Sequence, residues 1–308
     1  MSDSRAIYKC IVTLSLITLL ISGCHATQAG GELVIDTSII ATDGENFFCS
    51  GYDQNIHMID SELSTHRILI EKASMRNIYN QKLLYKKDDV CYVMDTTSFQ
   101  STPLSIQVDL ISDDFYLSYD KGLYLYTLDQ KIYDTISETP AKGFFFGENV
   151  LYIADNSLIL KEYDTASKKS HVVLDLSSEL TDIQVINCFE ENIIFTKGKK
   201  NIIFNAKNKQ TTVVDFSEVL TDKKYSEGET FAFPLITDND AYYFYVSYGY
   251  EFLETDYFKV DKQSTEIKQS KLFENINLPL VRLDGELYYR EYPSDGGTTL
   301  RKYILEDM

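Results

Sequence analysis

The chain has no tryptophan and only four histidines among its 308 residues, and its 29 lysines and arginines face 47 acidic residues, for a formal charge of −18. Such a deficit of cations repels phosphate backbones, which excludes nucleic acid as a partner and disfavours direct adhesion to anionic headgroups. His25, His57, His66 and His171 lack the clustered carboxylates and spacing of a zinc or facial-triad site. His57 and His66 could meet across neighbouring strands, but no third ligand accompanies them. No G-x-S-x-G, Walker loop, G-x-G-x-x-G or EF-hand loop occurs. No catalytic residue, metal or cofactor is therefore expected. No stretch keeps a helical apolar period over three turns, and Gly, Asn and Asp punctuate the chain throughout, so the expected class is all-β.

The apolar run CIVTLSLITLLI (10–21) has 12 residues, too few for a bilayer span but suited to the h-region of a signal peptide. Arg5 and Lys9 precede it, and Ser22 and Gly23 lead into Cys24. This order resembles the bacterial lipobox. The resemblance implies a signal peptide over 1–23, a diacylglyceryl group on Cys24, and a membrane-anchored protein on the extracytoplasmic side. Residues 24–31 would be the tether and 32–308 the folded body. Removing 1–23 takes away Arg5, Lys9 and Asp3 and leaves a formal charge of −19. The body keeps Cys49, Cys91 and Cys188, an odd number with no C-x-x-C. They lie in apolar strand patterns and are expected as buried small hydrophobes.

A motif recurs, a polar or glycine-bearing turn followed by an apolar-aromatic strand: TDGENFFCSG (42–51), YNQKLLYKK (79–87), SDDFYLSYD (112–120), FGENVLYIAD (146–155), FEENIIFTKG (189–198), DNDAYYFYVS (238–247) and LDGELYYREY (283–292). Counted at Asn46, Lys82, Asp114, Asn149, Asn192, Ala241 and Glu286, the spacings are 36, 32, 35, 43, 49 and 45, with a mean of 40. That is the length of four short strands with tight turns, one propeller blade. The repeated strand is the second of four, labelled b in the order a, b, c, d. The expected architecture is a seven-bladed β-propeller, with six or eight blades, or two β-sandwiches, as alternatives.

Only 22 residues follow Glu286, enough for strands b and c but not d. LVID (33–36) matches VVLD (172–175) and VVDF (213–216), both d strands, so the N-terminal strand should pair with Leu300–Leu305 and complete the last blade. A d strand begins at the end of the sheet where a joins b and c joins d. Residues 25–32 reach at most roughly 28 Å when extended, so this reading turns the a–b/c–d end toward the membrane.

The stretch DGELYYREYPSDGGTTLRKYILED (284–307) resembles a blade of bacterial extracytoplasmic propellers related to the YWTD, or low-density-lipoprotein-receptor, type. The resemblance covers most of 32–308 and implies the propeller fold; YWTD itself is not present in any blade. Lack of tryptophan removes the WD repeat, the sialidase Asp-box and the quinoprotein blade, and the glycine pair Gly296-Gly297 is too little for a kelch repeat.

Acidic pairs such as Asp88-Asp89, Asp113-Asp114 and Glu190-Glu191 fall at turns, where they are expected to bond backbone rather than act as acid and base. The stretch SYGYEFLETD (247–256) is different, because a hairpin tip does not need two tyrosines, a phenylalanine and a leucine. It and SEVLTDKKYSEGE (217–229) are the longest loops and belong to one repeat. Tyr225, Tyr248, Tyr250 and Phe252 are the candidate partner patch, placed at the membrane-distal end, for a protein or a saccharide. The expected function is a monomeric binding or scaffolding module held to the membrane through its N-terminal lipid. The alternatives are a propeller hydrolase or lyase acting on envelope polysaccharide or peptidoglycan fragments, and a structural envelope spacer.

Overall fold

The computed structural model describes residues 28–29, 32–34, 37–51, 54–60, 65–119, 121–189, 191–226, 229–237, 240–249, 254–270, 276–283, 286–291 and 299–303. Among them the strands form six antiparallel sheets of four and one of five. The only helical segments among the described residues are two 3-10 turns, Phe216–Glu218 and Lys223–Ser226. The four-stranded sheets follow one another at 37–70, 73–103, 110–137, 141–175, 185–215 and 231–269, each with strands a to d paired in chain order. The b strands begin at Asn46, Lys82, Phe115, Asn149, Asn192, Ala241 and Glu286, within one residue of the positions read from the repeat. The 49-residue unit owes its length to the two 3-10 turns between strands d and a.

Burial explains why b strands were legible. Asn192–Lys197 is buried at every residue but its last, and Ala241–Tyr248 at every residue but Tyr245, so both faces are apolar. The d strands Ser101–Pro103 and Lys169–Asp175 lie largely in solvent. Alternation sends neighbouring side chains to opposite sides of a sheet. Ile193 and Phe195 pack toward Leu151 and Leu160 of the fourth sheet, whereas Ile194 packs toward Phe244 and Val260 of the sixth. Each such side chain removed from water contributes roughly 1.5–3 kcal/mol.

Four of the c–d turns share a device. The Oδ1 atoms of Asp95, Asp164, Asn205 and Asp261 accept backbone N–H groups two or three residues on, among them those of Ser98 (2.7 Å), Ser167 (2.6 Å), Asn208 (3.0 Å) and Ser264 (2.7 Å). A residue with positive φ closes each turn: Phe99, Lys168, Lys209 and Thr265. Among the acidic pairs singled out in the sequence, Asp88 and Asp89 form a turn with φ of 49° and 63°, and Asp89 pairs with Lys86 at 2.9 Å. In the first a–b turn it is Asp43 that binds backbone, accepting from Glu45 and Asn46.

The chain divides into two compact units, Met1–Gln107 with Asn275–Met308, and Val108–Glu274. The first therefore contains both ends of the chain. Its last sheet holds Ile276–Leu283, Glu286–Glu291 and Thr299–Tyr303, with Glu32–Val34 beside the last of these, Leu33 opposite Leu300 and Val34 opposite Thr299. The N-terminal strand thus covers the edge, as the repeat required. A fifth strand was not foreseen. Gln28–Ala29, placed in the tether by the sequence reading, pairs antiparallel with Glu32–Val34.

Candidate binding site

The loop joining the fifth and sixth sheets is built by local capping. Asp215 accepts the N–H of Ser217 (2.9 Å) to start the first 3-10 turn, and Leu220 N–H closes onto the Phe216 carbonyl (2.9 Å). Phe216 is fully buried, edge-on to Phe244 (5.1 Å) and Phe258 (5.6 Å). In the second turn Ser226 Oγ donates to the Lys223 carbonyl and Thr230 Oγ1 to that of Tyr225 (2.8 Å). These bonds aim Lys224 and Tyr225 at one carboxylate.

That carboxylate is Asp256, on strand c of the sixth sheet (Glu254–Asp261). Lys224 Nζ and Tyr225 Oη both donate to its Oδ2 at 2.6 Å, and Gln269 Nε2 to Oδ1 at 3.3 Å. Tyr225 and Tyr248 meet edge to face at 4.8 Å, and the Lys224 ammonium lies 4.7 and 5.2 Å from their ring centroids. Burial raises the Asp256 carboxyl, but bonds from Lys224, Tyr225 and Tyr248 outweigh it and hold the group below the usual range. Burial first, then the bond to Asp256, pushes the Tyr225 phenol up to about 12. The bond to Asp256 keeps Lys224 charged.

The structure therefore brings together Tyr225 and Tyr248, as the sequence suggested. Both are only 5% exposed, and their rings pack against one another and the sheet. Lys224, at 39% side-chain exposure, is the part of the cluster that reaches solvent. Tyr250 and Phe252 lie outside the described residues, as do Cys24 and the signal segment. Lys224 and Asp256 were missed, although a lysine beside an aromatic and an acid past a hairpin tip stand in the sequence.

Elsewhere, Glu162 is buried and accepts from Asn149 Nδ2 (3.0 Å) and Lys209 Nζ (2.8 Å), with His171 Nε2 at 3.4 Å, which fastens the fourth sheet to the fifth. His57 is buried and stands opposite Ile68, while His66 stands opposite Ile59, so the two are not a facing pair. Among the described residues no group of three His, Cys, Asp or Glu could hold a metal. Cys49 and Cys91 are buried, as expected, but Cys188 is exposed. No described helix is long and apolar enough to cross a membrane.

No family model and no curated protein matches the chain. Solved structures do, among them the following, at 12% identity or less. The extracellular domain of the putative hybrid two component system BT4673 from B. thetaiotaomicron shares 12% identity at a TM-score of 0.57, covering 87% of this chain and 40% of that one. The AfRom2 CNH domain shares 9% at 0.53, covering 94% and 99%. Pyrococcus horikoshii acylaminoacyl peptidase shares 10% at 0.55, covering 92% and 51%. These likenesses show a β-propeller-like fold, on which unrelated functions are carried.

Proposed function

We propose that the chain is an extracytoplasmic β-propeller of seven blades, one for each sheet, held to a bacterial membrane by lipid on Cys24 and acting as a binding or scaffolding module for a protein or a saccharide. The observation that carries this reading is the clamp on Asp256. It fixes a two-turn loop to the base of the hairpin whose tip spells Gly-Tyr-Glu-Phe-Leu (249–253). Preorganising a loop lowers the entropic cost of binding, and tip aromatics supply contact area. The likeness to extracellular domains is in keeping with the location.

The test is crosslinking in intact cells followed by affinity purification, run on the parent and on Tyr250→Glu with Phe252→Glu. The reading expects a captured species that disappears in the variant while Tm holds. An identical captured set from both chains, or a variant that melts early, overturns it.

A further inference from the structure

We infer that the groove between the outer strands of the fifth and sixth sheets is a docking site for an extended, basic segment of a partner protein. A lysine or arginine of that segment enters where this junction lacks a strap of its own. Both sheets belong to the Val108–Glu274 unit, and the groove shares no residue with the Asp256 cluster or the 249–253 tip.

The observation is a break in a repeat. Four c–d turns carry a residue of positive φ four positions after their capping Asp or Asn: Phe99 (57°), Lys168 (55°), Lys209 (59°) and Thr265 (58°). In three of them that residue is long and crosses to the preceding sheet. Phe99 stacks under the Arg67 guanidinium at 4.4 Å. Lys168 lies over the Tyr133 ring at 3.9 Å and donates to the Tyr133 carbonyl at 2.9 Å. Lys209 reaches the Glu162 carboxylate at 2.8 Å. Each strap sets a cation against a ring or a carboxylate across two sheets.

At the fifth-to-sixth junction the strap is missing. Thr265 is too short to cross, and its hydroxyl turns back to the Ser264 carbonyl (2.7 Å). It borders an open groove of about 380 Å³, lined by Val213 and Val219, each 41% exposed, by Ile267, and by the carboxylates Asp215 and Glu218.

Charge selects the occupant. Asp215 accepts the Ser217 N–H, and among the described residues neither it nor Glu218 has an ion-pair partner. Lys200, Lys224 and Lys268, from these two sheets and the loop between them, pair instead with Glu179, Asp256 and Glu266. The valines and Ile267 suit the methylene stem of a lysine or arginine, and the two acids suit its charged head. Backbone selects a polypeptide over a free amine. Strand d of the fifth sheet, Thr211–Asp215, is the open edge of its sheet. Its outward N–H and C=O groups can pair with an added extended chain, whose alternate residues then share the face of Val213.

A chain of formal charge −18 attracts any basic peptide, so the test must separate fit from charge. Fluorescence anisotropy measures binding of a labelled peptide of alternating valine and lysine to the full chain and to three variants. Thr265→Lys supplies the strap that Lys168 and Lys209 form at the same positive φ, and is expected to keep Tm and abolish binding. Glu218→Gln removes one groove carboxylate and should weaken binding severalfold. Glu148→Gln, at an exposed acid in the a–b turn of the fourth sheet, makes the same charge change elsewhere and should bind as the parent does. No binding by the parent, full binding by Thr265→Lys, or equal losses in Glu218→Gln and Glu148→Gln overturns the proposal. Spermidine that displaces the labelled peptide as well as unlabelled peptide does overturns it too, since a free amine would then suffice.

Discussion

Asp256 is where the sixth sheet and the loop before it depend on a single carboxylate. Removing it leaves Lys224 and Tyr225 without their shared acceptor, and bonds to a charged group are worth roughly 1.5–3 kcal/mol each. Lys224 is 39% exposed, so its share must be discounted for solvent, and roughly 1–3 kcal/mol in total is the expected cost of Asp256→Ala. The sign of the pH dependence follows from the lowered carboxyl. Its stabilisation is complete above the ordinary aspartate range near about 4 and is lost as pH falls through the depressed folded value. Denaturant melts of parent and Asp256→Ala should therefore differ at neutral pH and converge in acid. A gap that stays constant down through that range would mean the carboxylate is not what holds the loop.

At the scale of strands, what could be read from sequence followed burial. Strands such as Asn192–Lys197 are apolar on both faces because another packed layer lies against each, and their near-continuous runs gave the repeat its register. The d strands sit in solvent, so Lys169–Asp175 offered only its apolar run Val172-Val173-Leu174 as a strand signal. Four c–d turns repeat an Asp or Asn followed three residues later by Ser or Asn; the hydrogen bonds matter there, not hydropathy, so an apolar search passes over it. Gln28–Ala29 falls in what reads as a tether, where a strand is not sought. The candidate patch was half legible. Proximity of Tyr225 and Tyr248 followed from topology, whereas their burial depended on the fold of 216–226, which no periodicity announces.

The same strands yield an element-scale expectation: deleting 28–34 exposes the Thr299–Tyr303 edge, which then offers unpaired backbone to solvent or to another chain. Hydrogen exchange should rise across 276–303, and Tm should fall, by about 2–4 °C for each kcal/mol lost in domains of 150–250 residues. A deletion variant that stays monomeric, melts with the parent and keeps its protection would show that the closing strand is dispensable.

For the whole molecule the governing quantity is charge. A body with a formal charge of −19 after the proposed removal of 1–23 gains nothing electrostatic from an anionic bilayer, so the attachment proposed here rests on acyl chains alone. One acyl chain anchors marginally, whereas two buried together hold stably, and a diacylglyceryl group on Cys24 supplies two. Since that attachment is apolar, added salt should not release the parent from membranes. Cys24→Ala removes the only atom proposed to receive the lipid and the residue before which cleavage is proposed. Its expected phenotype is loss of palmitate labelling and a mass that still includes residues 1–23. Mass is the deciding readout, because an unprocessed precursor keeps its apolar 10–21 segment and can remain with membranes without any lipid. Palmitate labelling that persists in Cys24→Ala would place the acyl groups on another residue.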